Sequence, residues 1–179
     1  MATGYDGLLG AFPYAFRAST SRLFKLYVLI SGVATAFIAL FIIVALVVLI
    51  GRTASIQGGS LTLSRAFYVV VGLLIILPAV APTLAIARRH RRGLTASKRL
   101  EAAVAVAGFG FLVSLYLGVV ASMPATFSLD DETVTRPPAT GTGEFEPLVA
   151  GLYAIPIEFS WVVPLIGAGC IAGAYLLFR

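Results

Sequence analysis

The chain has 179 residues, of which 59% are hydrophobic and 12% are charged, about half the charged share of an ordinary soluble domain. So short a soluble domain cannot bury that much apolar surface, because small domains leave much of theirs exposed; a bilayer is the second solvent, and the length suits one domain. The net charge of +5 does not describe a nucleic-acid surface, since six of the thirteen basic residues fall in one stretch, Arg88–Arg99, between two apolar runs, as in a loop retained in the cytoplasm.

In chain order, the first predicted element is short. Leu8, Leu9, Phe12 and Phe16 follow helical spacing within residues 5–20, with Pro13 near the start of the helix or bending it. Aromatic rings with polar neighbours suit the headgroup region, so this segment is expected to be an interfacial helix under the bundle.

Four uncharged stretches follow: Leu26–Gly51, Ala66–Ala87, Ala102 to about Ser122, and Phe159–Phe178. Roughly 20 apolar residues cross a hydrocarbon core of about 30 Å, and each stretch reaches that length. Leu26–Gly51 is too long for the apolar region of a signal peptide, about 7–15 residues, and is read as a membrane span. Arg17, Arg22, Lys25, the six basic residues of the middle loop and Arg179 fall on one side of four crossings. Arg52, Arg65 and Arg136 fall on the other. Ten against three sets the richer side in the cytoplasm. The expected fold is an all-α, integral membrane four-helix bundle, N-in and C-in, multi-pass in the cell membrane, in contact with the lipid bilayer. Arg88, Arg89, Arg91 and Arg92 are candidate contacts for anionic lipid headgroups.

The loop from Met123 to Pro147 carries Asp130, Asp131, Glu132, Glu144 and Glu146, broken by prolines and glycines. It reads as a solvated connector, with Phe127, Val134 and Phe145 able to support short strands or a lid.

The N-terminal run Asp6-Gly7-Leu8-Leu9-Gly10-Ala11-Phe12-Pro13-Tyr14-Ala15-Phe16-Arg17, with Ser64-Arg65-Ala66-Phe67 and Arg88-Arg89-His90-Arg91-Arg92, resembles a family of small haloarchaeal membrane proteins that is a domain of unknown function. The resemblance implies a halophilic archaeal cell membrane. It implies no activity and carries no site residues.

Groups able to do chemistry are sparse. Cys170 and His90 are the single cysteine and histidine and lie on different elements, whereas zinc needs clustered ligands. The nucleophile and phosphate-loop motifs are missing, so no catalytic, cofactor or metal site is expected. His90, crowded by Arg89 and Arg91, is read as a solvated loop residue. Glu158 is the candidate intramembrane charge, placed at the outer interface or buried on an ion pathway. Pro78 and Pro82 share one face of the second span, and Pro164 lies inside the fourth; kinks are expected. Gly110, Ser114, Gly118 and Ser122 recur every four residues on the third span, and Gly169 with Gly173 on the fourth. Such spacing lets helix backbones approach closely, and these six are the candidate packing seam.

Three functional readings follow. The first is a non-enzymatic accessory or scaffold subunit, in contact with other membrane protein subunits or with itself. The alternative is a small oligomeric transporter or channel with a polar path through Glu158 and Tyr116. The third is a membrane enzyme that gathers Asp130, Asp131 or Glu132 in a cleft.

Overall fold

A computed structural model describes residues 7–54, 59–129, 132–140 and 142–179. Its elements in order are α1 (Gly7–Ala18), α2 (Arg22–Thr53), α3 (Gly59–Arg91), α4 (Lys98–Ala121), β1 (Thr126–Leu129), β2 (Glu132–Thr135), α5 (Glu146–Tyr153) and α6 (Val162–Phe178). Among the described residues, four helical segments, Arg22–Thr53, Leu63–Arg91, Lys98–Ala121 and Ile157–Phe178, are long and apolar enough to cross a membrane. The chain is an all-α bundle of candidate membrane spans with a short helix, α1, that is too brief to span. Tyr5, Asp6, Asp130, Asp131 and Gly141 lie outside the described residues.

Local chemistry sets the helix ends. Ser21 caps α2 by accepting from the Phe24 amide at 3.4 Å, and Ser97 caps α4 by accepting from the Leu100 amide at 3.1 Å. Half of the basic stretch read as loop is helix: α3 runs on through Arg88, Arg89, His90 and Arg91, and α4 begins at Lys98. Cations in the last turn favour this extension, because they oppose the exposed carbonyl ends of the helix. Gly93 then ends it in the left-handed region at φ 73°. The Gly93 amide donates to the His90 carbonyl at 3.0 Å and the Leu94 amide to the Arg89 carbonyl at 3.1 Å, the paired bonds of a Schellman stop. Pro164 does not interrupt α6. It is the third helical residue, where its missing N–H would have had no helical partner.

The core lies at the end of the bundle that carries α1. Phe24, Tyr27 and Val28 of α2 pack with Ile86 and Ala87 of α3, Leu100, Val104 and Ala105 of α4, and Ala11 and Ala15 of α1. A second cluster joins Ala79, Phe111 and Ile171 of α3, α4 and α6. Helix α4 is central: it meets α2, α3, α5 and α6, and its contact with α6 is the most extensive. Beyond Ser31, α2 buries none of its residues.

The connector between α4 and α6 is more structured than a solvated loop. Strands β1 and β2 pair antiparallel, Thr126 opposite Thr135 and Phe127 opposite Val134. The Arg136 amide extends the ladder to the Ala125 carbonyl at 3.0 Å. The Arg136 guanidinium donates to the Met123 carbonyl at 3.2 Å and lies 4.0 Å from the ring centre of Tyr153, which ties the hairpin to α5.

Candidate functional site

The densest polar arrangement lies where the α1–α2 corner meets the start of α4. Glu101 follows the Ser97 cap by four residues, so its side chain leaves the first turn of α4 and points toward the bundle. It is 0% exposed. One carboxylate oxygen, Oε2, accepts from the Ser19 hydroxyl at 2.8 Å, the Ser21 amide at 2.8 Å and the Thr20 amide at 3.1 Å, with a weaker approach from the Thr20 hydroxyl at 3.4 Å. These amides precede α2, where N–H groups have no helical acceptor. A carboxylate there also meets the positive ends of two helix dipoles, those of α2 and α4.

The second oxygen, Oε1, accepts no hydrogen bond from the described residues. It faces His90 Nε2 at 3.9 Å, within ion-pair range but too long for a hydrogen bond. His90 Nδ1 stands 3.0 Å from the Ile86 carbonyl. A carbonyl only accepts, so Nδ1 carries its hydrogen and Nε2 is the nitrogen turned to the carboxylate. His90 is therefore part of the packed junction and not a solvated loop residue. Extension of α3 by one turn is what brings it there. Chemically, the junction holds a charge at a helix corner and sets a proton-binding nitrogen beside an otherwise unpartnered oxygen.

Glu101 was legible only as the charge that bounds the third span. Two signals stand in the sequence: its position four residues after a capping serine, and the donor-rich run Ser19-Thr20-Ser21 elsewhere. Nothing in the sequence joins them, because the pairing spans about 80 residues.

The structure divides the other candidates. Ser114 and Gly118 are buried on α4, toward α6. A Cβ built on Gly167 of α6 would collide with the Ser114 side chain and lie 3.1 Å from the Phe111 Cα. One built on Gly118 would lie 3.0 Å from Pro164 Cδ. Gly110, Gly169 and Gly173 have nothing within 4 Å of a built Cβ, and the Ser122 hydroxyl bonds back to the Val119 carbonyl at 2.8 Å. The close approach of α4 and α6 therefore runs through Ser114, Gly118, Gly167 and Pro164. Gly167 stood beside the expected pair, and burial alone picks it out.

Glu158 is exposed in the 3-10 turn Ile157–Phe159 that precedes α6, and Tyr116 is 69% exposed on α4. Arg88, Arg91 and Arg92 are exposed at the end of α3, and Arg89 reaches toward the Thr95 carbonyl at 3.5 Å. Among the described residues, no three histidine, cysteine or carboxylate side chains gather as metal ligands.

The family model for a domain of unknown function, DUF8056, matches residues 1–179. The chain belongs to that family. The match covers the α1–α2 corner, Glu101 and the α4–α6 seam alike. No curated protein and no solved structure matches the chain.

Proposed function

We propose that this member of the family is a non-enzymatic accessory or scaffold subunit of a membrane complex, with both termini in the cytoplasm. The observation that carries the reading is the contrast along α2. Its first third is locked by Phe24, Tyr27, Val28 and Ser31, all buried. Its remaining length presents Phe37, Phe41, Val44 and Val48, spaced along one face and each largely exposed. A helix anchored at one end, and held to α3 farther along through Ile42 beside Gly72 and Thr53 beside Arg65, keeps this other face open and supplies a defined surface for another membrane helix. Association in lipid relies on van der Waals packing against such a preset face.

The ten-to-three distribution of basic residues supports the orientation. The resemblance to haloarchaeal sequences supports a cell membrane in such an organism. A transporter would need a continuous polar path. Glu158 and Tyr116, its expected lining, are exposed, which speaks against a path inside one bundle and leaves the oligomeric arrangement to the test below.

The test is a photoreactive residue at Phe41, irradiated in native membranes, with the same residue at Leu177 on α6 as the reference. One reproducible adduct with a different protein from position 41 is expected. Adducts with lipid alone would overturn the scaffold reading, and adducts only between copies would favour the oligomeric transporter.

A further inference from the structure

Helix α1 does not lie flush on α2. Between them runs an open groove of about 590 Å³, within the range of small-molecule sites. Leu9, Phe12 and Phe16 form its α1 wall, and Leu29, Val33 and Ala36 its α2 wall. Gly32 lets the two helices meet at its floor: a Cβ there would lie 3.3 Å from the Phe12 ring. Thr35 supplies the single hydroxyl among the lining residues.

Three features together describe an occupant. The first is length. The α2 wall runs from Val28 to Ala39, twelve residues that rise about 16 Å, close to half of a hydrocarbon core of about 30 Å. One acyl chain of one leaflet has that reach. The second is chemistry: the wall offers methyl groups and rings, with no charge along its length. The third is the end of the stripe. Lys25 precedes Leu29 by one helical turn on the same face of α2. Its ammonium stands 5.5 Å from the ring centre of Phe16, a lining residue. Arg17, one turn after Pro13 on α1, and Arg22, at the start of α2, are exposed at the same corner. An apolar channel one leaflet deep that ends on cations matches an amphiphile with an anionic head.

We infer that the α1–α2 groove is a binding site for a single anionic membrane lipid, with its chain along Leu29–Ala36 and its headgroup at Lys25. The site is separate from the arginines at the end of α3 and independent of the scaffold reading. It gives α1 a second role: the short helix holds one lipid against α2 and distinguishes it from the exchanging lipid around the bundle.

The test uses the full chain in phosphatidylcholine nanodiscs with a minor share of phosphatidylglycerol. Spin-labelled chains of each lipid report the slowly exchanging fraction. The wild type should retain about one slow lipid per chain and favour phosphatidylglycerol by about fivefold, the effect of one basic residue near the surface. Ala36→Trp fills the groove and should abolish the slow fraction, while Leu165→Trp on the exposed face of α6 should leave it intact. Lys25→Gln should keep a slow chain but lose the headgroup preference. This arm decides the matter even if Ala36→Trp does not fold. No slow lipid in the wild type, a slow fraction that survives Ala36→Trp in folded protein, or a preference that survives Lys25→Gln would overturn the proposal. So would disulfide cross-linking between copies through Ala36→Cys in a Cys170→Ala background, which would make a protein the occupant.

Discussion

The ring of Tyr27 occupies the space that a side chain at position 108 would need. A Cβ built on Gly108 of α4 would overlap the Cε2 and Cζ atoms of that ring. The phenol oxygen then reaches across to the Ala79 carbonyl of α3 at 2.5 Å. Ala79 lies between Pro78 and Pro82, in a stretch of helix already short of two backbone donors. One side chain thus joins α2, α3 and α4, and Phe109 meets its ring edge-on at a centroid distance of 5.2 Å.

That relationship predicts opposite behaviour for two nearby glycines. Gly108→Ala should destabilise the protein by about 1–3 kcal/mol, the usual cost of overpacking. Gly110→Ala should be neutral or slightly stabilising, since its Cβ meets open space and alanine is the better helix former. Melting of both variants in one detergent checks the order. Equal losses would mean that the Tyr27 ring moves aside freely.

The Glu101 junction predicts a local effect. Glu101→Ala takes the acceptor from the Thr20 amide and leaves the Ser21 amide and the Ser19 hydroxyl only longer bonds, to Ser19 Oγ at 3.2 Å and to the Ser21 carbonyl at 3.4 Å. Each buried unsatisfied group costs about 1–3 kcal/mol. Amide hydrogen exchange at residues 19–24 should accelerate more than exchange in α6. Glu101→Gln keeps one acceptor oxygen, and its amide group can face His90 Nε2, so its loss should be smaller. A larger loss for glutamine than for alanine would contradict the arrangement.

The α4–α6 seam predicts a split among small residues. Gly118→Leu and Gly167→Leu should lower the melting temperature, because each drives a side chain into Pro164 or Ser114. Gly169→Leu and Gly173→Leu should melt near the wild type in detergent. Gly118→Leu should also cost more than Leu117→Ala, which removes only partly buried surface. Comparable losses at positions 118 and 169 would argue against this face of α4.

The proposed orientation predicts labelling from opposite sides. Single cysteines at Thr140 and Thr95, both exposed, in a Cys170→Ala background, should react with an impermeant thiol reagent from outside and inside respectively. Thr95 is preferable to Ser97, whose hydroxyl caps α4. Cys170 is itself exposed and must be removed first. Reversed labelling would overturn the N-in, C-in arrangement.

The sequence by itself determined the number of candidate spans and the existence of a short first helix, because both depend on local composition. A run of about twenty uncharged apolar residues needs no partner to be recognised. The caps at Ser21 and Ser97 and the stop at Gly93 are equally local, although the helical state of Arg88–Arg91 was hidden by reading charge as loop. Side-chain partnerships were a different matter. Ser114 and Gly118 share a spacing with Gly110, yet two of the three face α6 and the third faces outward. A period of four on a helix of about 3.6 residues per turn drifts around the axis, so spacing alone does not choose the neighbour. Glu101 looked like the boundary of a span until the fold brought the donors of Ser19, Thr20 and Ser21 onto its carboxylate. Only the tertiary structure decides such contacts, because they pair residues distant in the chain. The apolar spans that carry them read alike on every face.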